Sequence, residues 1–118
     1  MRATHGLGLL VAVAALLLGG CAGMQARQTV TTEEILAAAG FHATPADTPE
    51  QLARLKAMPP HELVSERQDG QFVYSYADPD QCKCWYEGGP IEYSAYRRFA
   101  LERSLEEQRT MEVERAEP

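Results

Sequence analysis

Hydrophobic and polar positions alternate with three different rhythms along the chain, and each rhythm predicts a different kind of element. Residues Leu7 to Leu18 form an unbroken apolar run. From Thr31 to Met58 the apolar positions recur at helical spacing, from Leu63 to Glu87 they alternate with period two, and from Pro90 onward helical spacing returns. In the second region, Thr31-Thr32-Glu33-Glu34 has a threonine followed three residues later by glutamate, the pattern of a capping box. Val30 is placed to staple against Ile35. This short helix should stop at Gly40, whose missing Cβ suits a left-handed terminal residue, with Phe41 folding back on Leu36. A second helix should open at Thr48-Pro49-Glu50-Gln51 and bury a stripe of Leu52, Leu55 and Met58 before Pro59-Pro60 ends it.

Within the period-two region, Asp69-Gly70 between two alternating runs predicts a two-residue hairpin. Pairing Gln68 with Gln71 then puts Leu63, Ser65 and Arg67 on one face with Tyr76, Tyr74 and Phe72, a face expected to be largely buried. Asp78-Pro79-Asp80 reads as a turn, since proline presets its own φ and disfavours a helical conformation at Asp78. Cys82 to Glu87 can return as a third strand, with Cys82, Cys84 and Tyr86 on one side and Lys83, Trp85 and Glu87 on the other. After Gly88-Gly89-Pro90, Ile91, Ala95 and Phe99 recur every four residues beside Tyr96, the mark of an amphipathic helix. Past Leu101 the stripe dissolves into glutamate and arginine, and a solvated helical extension is expected, fraying towards Pro118. The fold class is therefore α+β, with two short N-terminal helices, a three-stranded antiparallel meander and a C-terminal amphipathic helix packed on the sheet.

The apolar run from Leu7 to Leu18, preceded by Arg2 and His5 and followed by Gly19-Gly20-Cys21, has the order of an exported protein's signal peptide. As a helix it would reach only about 18 Å, short of the roughly 30 Å hydrocarbon core. Small residues before Cys21 resemble the lipobox of bacterial lipoproteins. That resemblance implies cleavage after residue 20 and a lipid on the Cys21 thiol. It also implies, with Ala22 in place of a retention aspartate, the periplasmic face of the outer membrane. The chain then divides into a signal peptide (1–20), the lipidated cysteine with a flexible tether (21–30), a small domain (31–101) and a charged extension (102–118). At 45% hydrophobic and 24% charged residues, the composition accommodates one small core and no second one. The net charge of −6 gives no footprint for a nucleic-acid backbone, and losing Arg2 with the signal peptide leaves the mature chain at −7.

Chemistry concentrates in Cys82-Lys83-Cys84. One reading is a disulfide, which an oxidising compartment favours. Two residues apart on an extended strand, however, the Cα atoms would stand about 6.6 to 6.8 Å apart with parallel side chains, so a bond requires a turn or bulge. A second reading is a soft-metal pair, with His42 and His61 the available histidines but at no standard zinc spacing. The third is two buried reduced thiols acting as small hydrophobes. Asp78 and Asp80 lack the glycine and terminal glutamate of a calcium loop. His61 is a weak partner for a catalytic cysteine, and Trp85-Tyr86 is as readily core as ligand surface. No glycine-rich phosphate loop, no pair of catalytic carboxylates on rigid elements and no serine motif is present, so an enzyme is not expected.

The run Tyr74-Ser75-Tyr76-Ala77-Asp78-Pro79-Asp80-Gln81-Cys82-Lys83-Cys84-Trp85-Tyr86 also resembles a group of small exported proteobacterial proteins with a Y-x-Y-A-D-P-x-x-C-x-C core. The resemblance spans residues 47 to 99 and implies no activity. Gln81 departs from it, standing where the group would have a glycine. The leading expectation is a non-catalytic, membrane-tethered module that binds or scaffolds an envelope protein, without cofactor, resident metal or nucleic acid. The alternative is a thiol-redox or metal-handling protein working through Cys82 and Cys84.

Overall fold

Hydrogen bonding and dihedral preference account for most of the element boundaries. The computed structural model describes residues 23–117, so the expected signal peptide and Cys21 lie outside the described residues. Helix α1 occupies residues 23–38, followed by strand β1 (His42–Pro45), helix α2 (Pro49–Ala57), strands β2 (Leu63–Gln68), β3 (Gln71–Asp78) and β4 (Cys84–Gly88), and helix α3 (Pro90–Ala116). The result is α+β with three helices and a four-stranded antiparallel sheet in the order β1-β4-β3-β2. Thr32–Pro118 form one compact unit, and the helical residues before Thr32 belong to another. Among the described residues, no helix is long and apolar enough to cross a membrane.

Two expectations about α1 need correction. Residues 23–30, expected to be a flexible tether, are helical, and Thr31 lies inside the helix rather than capping it. An absent apolar period says only that no face of the segment is marked for burial. Met24, Gln25, Ala26, Arg27 and Gln28 are all good helix formers with no proline among them. The far end of α1 follows expectation: Gly40 has φ +98°, its N–H reaches the Ala37 carbonyl at 3.1 Å, and the Phe41 N–H reaches the Leu36 carbonyl at 3.0 Å. This pair of bonds is the Schellman ending. Phe41 is buried in the same cluster as Leu36.

At the start of α2, the Thr48 hydroxyl accepts the Gln51 N–H at 3.1 Å, and the Gln51 side chain accepts the Thr48 N–H at 3.1 Å. The expected stripe narrows to Leu55, fully buried, and Met58, half-buried, while Leu52 is exposed. The hairpin has the expected register, with Leu63 opposite Tyr76, Ser65 opposite Tyr74 and Arg67 opposite Phe72. Asp69 and Gly70 both have positive φ, as a type I′ turn demands. Burial along the aromatic face is graded: Tyr76 is buried, Tyr74 is half-buried, and Phe72 at the tip is exposed. Tyr74 stacks on Tyr93 of α3 with ring centroids 4.0 Å apart, which fixes where the helix crosses the sheet.

The meander has four strands rather than three. His42–Pro45 adds to the outer side of β4, with His42 opposite Glu87 and Pro45 opposite Cys84. It is an edge strand held by backbone bonds, and its largely exposed side chains carry no alternation. Both sheet faces are covered. Leu36, Ala39, Phe41 and Tyr76 form the core on one side with half-buried Tyr86, Tyr93, Tyr96 and Phe99, while Leu55, Ala77 and Trp85 form a smaller core on the other. Fully burying a side chain such as Leu36 or Leu55 contributes about 1.5 to 3 kcal/mol, so these two leucines are major anchors of a small domain. On α3, Ile91 is 83% exposed and does not join the expected stripe, which instead runs through Tyr93, Tyr96 and Phe99. Aromatic rings opposite Tyr74 and Phe41 set the rotation of the helix more strongly than its first aliphatic residue does. Beyond Leu101 every described residue of α3 is exposed, yet the helix continues unbroken to Ala116.

Candidate functional site: the Cys82–Cys84 bridge and its carboxyl pair

The site is assembled at the end of β3, where the Asp78 side chain takes over the role of a strand partner. Its carboxylate accepts the backbone N–H groups of Asp80 and Gln81 on Oδ1, both at 3.0 Å, and of Cys82 on Oδ2 at 3.2 Å. An aspartate can do this because its short side chain reaches the next few amides of its own chain. The consequence is a turn that keeps Cys82 out of the sheet, so β4 begins at Cys84 and not at Cys82 as expected. Asp78 is completely buried, and the three N–H donors are the compensation such a charge requires.

Between the two cysteines, Lys83 adopts φ +50°, a left-handed conformation that costs a non-glycine residue about 1 to 2 kcal/mol. Its carbonyl accepts the Ala46 N–H at 3.0 Å, which pins the bend. This bend shortens the Cys82–Cys84 Cα separation to 5.2 Å, inside the ordinary range for a disulfide, and the two sulfurs are bonded. The awkward geometry of an extended C-x-C is therefore relieved by the backbone at Lys83. The two sulfurs differ in access: Cys82 is exposed, whereas Cys84 is 5% exposed on the sheet face it shares with Tyr86.

A third participant comes from α1. Glu33 is half-buried, and its Oε1 lies 3.4 Å from the Cys82 sulfur. A sulfur in a disulfide has no proton to donate, so this is a contact in the oxidised form and becomes a hydrogen bond only when Cys82 is a thiol. The Glu33 carboxyl and both sulfurs lie within 4.8 Å of one another. Burial, then the hydrogen bond to Asp78 and the Asp78 charge, push Glu33 up to about 8. Burial acts to raise Asp78 as well, but the hydrogen bond from Glu33 and the three backbone N–H groups together outweigh it and hold Asp78 below the usual carboxylate range. The pair thus shares one proton at neutral pH, and that proton sits on Glu33. Tyr86, beside them on β4, is raised by burial and by the two carboxyl charges.

With the bond closed, neither cysteine offers the thiolate that a soft metal binds. His42 sits in β1 opposite Glu87. His61 pairs instead with Asp80, its Nε2 2.7 Å from Oδ2. Although His61, Asp78 and Asp80 lie within 4.8 Å of one another, the Asp78 oxygens are occupied by the turn, which is the reading the spacing of Asp78 and Asp80 favours. On the opposite sheet face, Trp85 is buried with the Arg54 guanidinium 4.9 Å from its ring centroid, and Arg54 pairs with Glu87 at 2.6 Å.

Glu33 is not among the residues that sequence reasoning marks for chemistry, because it is 49 positions from Cys82 and reads as first-turn capping material. One signal points to it. Glu33 precedes Leu36 by three residues, so on a helix it shares the face that Leu36 buries. No family model, no curated protein and no solved structure matches this chain.

Proposed function

We propose that this protein is a lipid-anchored module of the cell envelope, held at the periplasmic face of the outer membrane through Cys21, whose working site is the Cys82–Cys84 disulfide. The module engages an envelope protein that carries a pair of thiols and exchanges disulfide for dithiol with it. One observation carries this reading: an exposed sulfur bonded to a buried one, beside a carboxyl that retains a proton at neutral pH. Exposure fixes the direction of attack. A thiolate of the partner attacks the Cys82 sulfur, the Cys82–Cys84 bond breaks, and the electron pair leaves with Cys84. The partner's second thiol then attacks the mixed disulfide and releases Cys82. The partner's dithiol is oxidised to a disulfide, the Cys82–Cys84 pair is reduced, and the two protons given up by the partner are balanced by those gained on Cys82 and Cys84.

The anchor rests on the apolar run ending in Gly19-Gly20-Cys21. In cells, Cys21→Ala should move the protein out of the membrane fraction, and equal retention in that fraction would refute the anchor. For the site, the oxidised mature chain is treated with a small dithiol under native conditions, and free thiols are counted by alkylation and intact mass. Both cysteines should become alkylated while the circular dichroism spectrum is retained. Thiols that appear only after denaturant is added would refute exchange and return the module to binding alone.

A further inference from the structure

We infer that Glu33 is the proton donor of the exchange, delivering its carboxyl proton to the Cys84 sulfur as that sulfur leaves and taking it back when the bond reforms. The inference rests on the exchange proposed above and assigns a role to a residue outside the cysteine pair. Its basis is the position of the leaving sulfur. Cys84 is almost fully buried, and beside it lies Asp78, a buried carboxylate. A thiolate released there would lose hydration and sit near a like charge, two effects that both oppose ionisation. Unassisted departure of Cys84 is therefore slow, and a proton supplied from within reach removes the obstacle. Glu33 is the neighbouring acid: its carboxyl oxygen lies 3.4 Å from the Cys82 sulfur and within 4.8 Å of that of Cys84, so transfer to Cys84 requires the carboxyl to close that gap or one water to bridge it as the bond opens.

The surroundings keep that proton available. Asp78, from the end of β3, holds it on Glu33 by accepting its hydrogen bond, and is itself kept ionised by the amides of Asp80, Gln81 and Cys82. Tyr86, from β4, faces the pair as a neutral phenol over the physiological range. Arg103 of α3 pairs with Glu34, the next residue on α1, at 3.8 Å. In the forward step, the partner's thiolate forms a bond to Cys82, the Cys84 sulfur takes the Glu33 proton, and Glu33 is left as a carboxylate. In the reverse step, that carboxylate removes the Cys84 proton and generates the thiolate that closes the ring.

Glu33→Gln is the discriminating substitution, because the amide still donates a hydrogen bond to Asp78 but has no proton to transfer. The rate of reduction by a small dithiol, expressed per thiolate of the reductant, is measured from about pH 6 to pH 9.5 by alkylation and mass. In the wild type the rate constant should be level below pH 8 and fall about tenfold per unit above it. In Glu33→Gln the plateau should be about 100-fold lower and level throughout, the low end of what a positioned proton donor supplies. Circular dichroism and the melting temperature verify that the variant is folded. A folded Glu33→Gln with the wild-type rate and pH profile would overturn the role of Glu33 while leaving the exchange intact. A wild-type disulfide that resists the dithiol altogether would instead overturn the exchange, and this inference with it.

Discussion

Replacing Asp78 by asparagine weakens the interaction on which the turn and the disulfide both depend, and with it the hydrogen bond that Asp78 accepts from Glu33. The side chain keeps its size, so the change falls on charge and hydrogen bonding. The amide oxygen of asparagine can still accept the Asp80 and Gln81 N–H groups, now as a neutral acceptor. Hydrogen bonds to charged groups contribute about 1.5 to 3 kcal/mol against about 0.5 to 1.5 for neutral ones, so each retained bond weakens by about 1 kcal/mol. The Cys82 N–H, which points at Oδ2, meets an NH2 group instead and is orphaned, at a cost of about 1 to 3 kcal/mol. Relief of burying a full charge offsets part of this, leaving a net loss of about 3 kcal/mol, a large fraction of the stability of a small domain. Urea denaturation of the oxidised protein, followed by fluorescence of Trp85, the chain's one tryptophan, reads the loss directly. With m about 1 kcal/mol/M, the midpoint falls by roughly 2 to 3 M. Asp80→Asn is the control, because Asp80 is exposed and its pair with His61 should contribute at most about 1 kcal/mol. The sign with pH is also fixed. Asp78 is depressed in the folded state, so its contribution is present above its unfolded pKa near 3.8 and is lost as the pH falls through the lower folded value. The gap between wild type and Asp78→Asn should therefore narrow on acidification. A gap under about 0.5 kcal/mol at pH 7, or one that stays constant down to about pH 2, would refute this reasoning.

Glu33 has the opposite dependence: its folded value of about 8 exceeds the unfolded 4.5, so its contribution is complete below pH 4.5 and is lost as the pH rises through 8. Denaturation midpoints of the wild type should decline across that window by the equivalent of about 1 to 2 kcal/mol, after allowing for solvent screening at a half-buried group, and those of Glu33→Gln should stay level. Tyr76→Ala removes a ring that is 4% exposed from the core beside Leu36 and Phe41, and should cost about 3 to 5 kcal/mol in denaturant. Gly88→Ala would place a Cβ 3.0 Å from the Phe41 ring and from the Glu92 Cβ, so a loss of about 1 to 3 kcal/mol is expected, measured the same way.

Where an element depends on neighbouring residues alone, the amino-acid sequence is enough to read it. Asp69-Gly70 prescribes a hairpin whose two-residue loop leaves one register, and Thr48 with Gln51, like Gly40 with Phe41, are helix ends whose hydrogen bonds involve only nearby residues. The features that sequence reasoning misses depend on contacts distant along the chain. Strand β1 has four residues, a proline and no alternation, and exists because β4 offers it an edge. Cys82 leaves the sheet because a buried aspartate four residues earlier captures its N–H. That capture, together with the left-handed Lys83, is what makes a bridge between cysteines two apart geometrically ordinary. Glu33 joins the site only because its turn of α1 packs on the sheet face that carries Cys84, and no spacing within the C-x-C region announces it.

We propose that the Cys82–Cys84 bond opens in exchange with thiols rather than serving as a permanent staple, and its reduction potential separates the two roles. The loop it closes is very short, so the bond removes little entropy from the unfolded chain, and Cys82 presents an accessible sulfur. Equilibration of the folded protein against a graded series of dithiol and disulfide mixtures at pH 7, quenched by alkylation and read by mass, yields the potential. For a bond that exchanges, the expected value lies between about −270 and −120 mV. A value below about −300 mV, where structural disulfides of exported proteins lie, would contradict it.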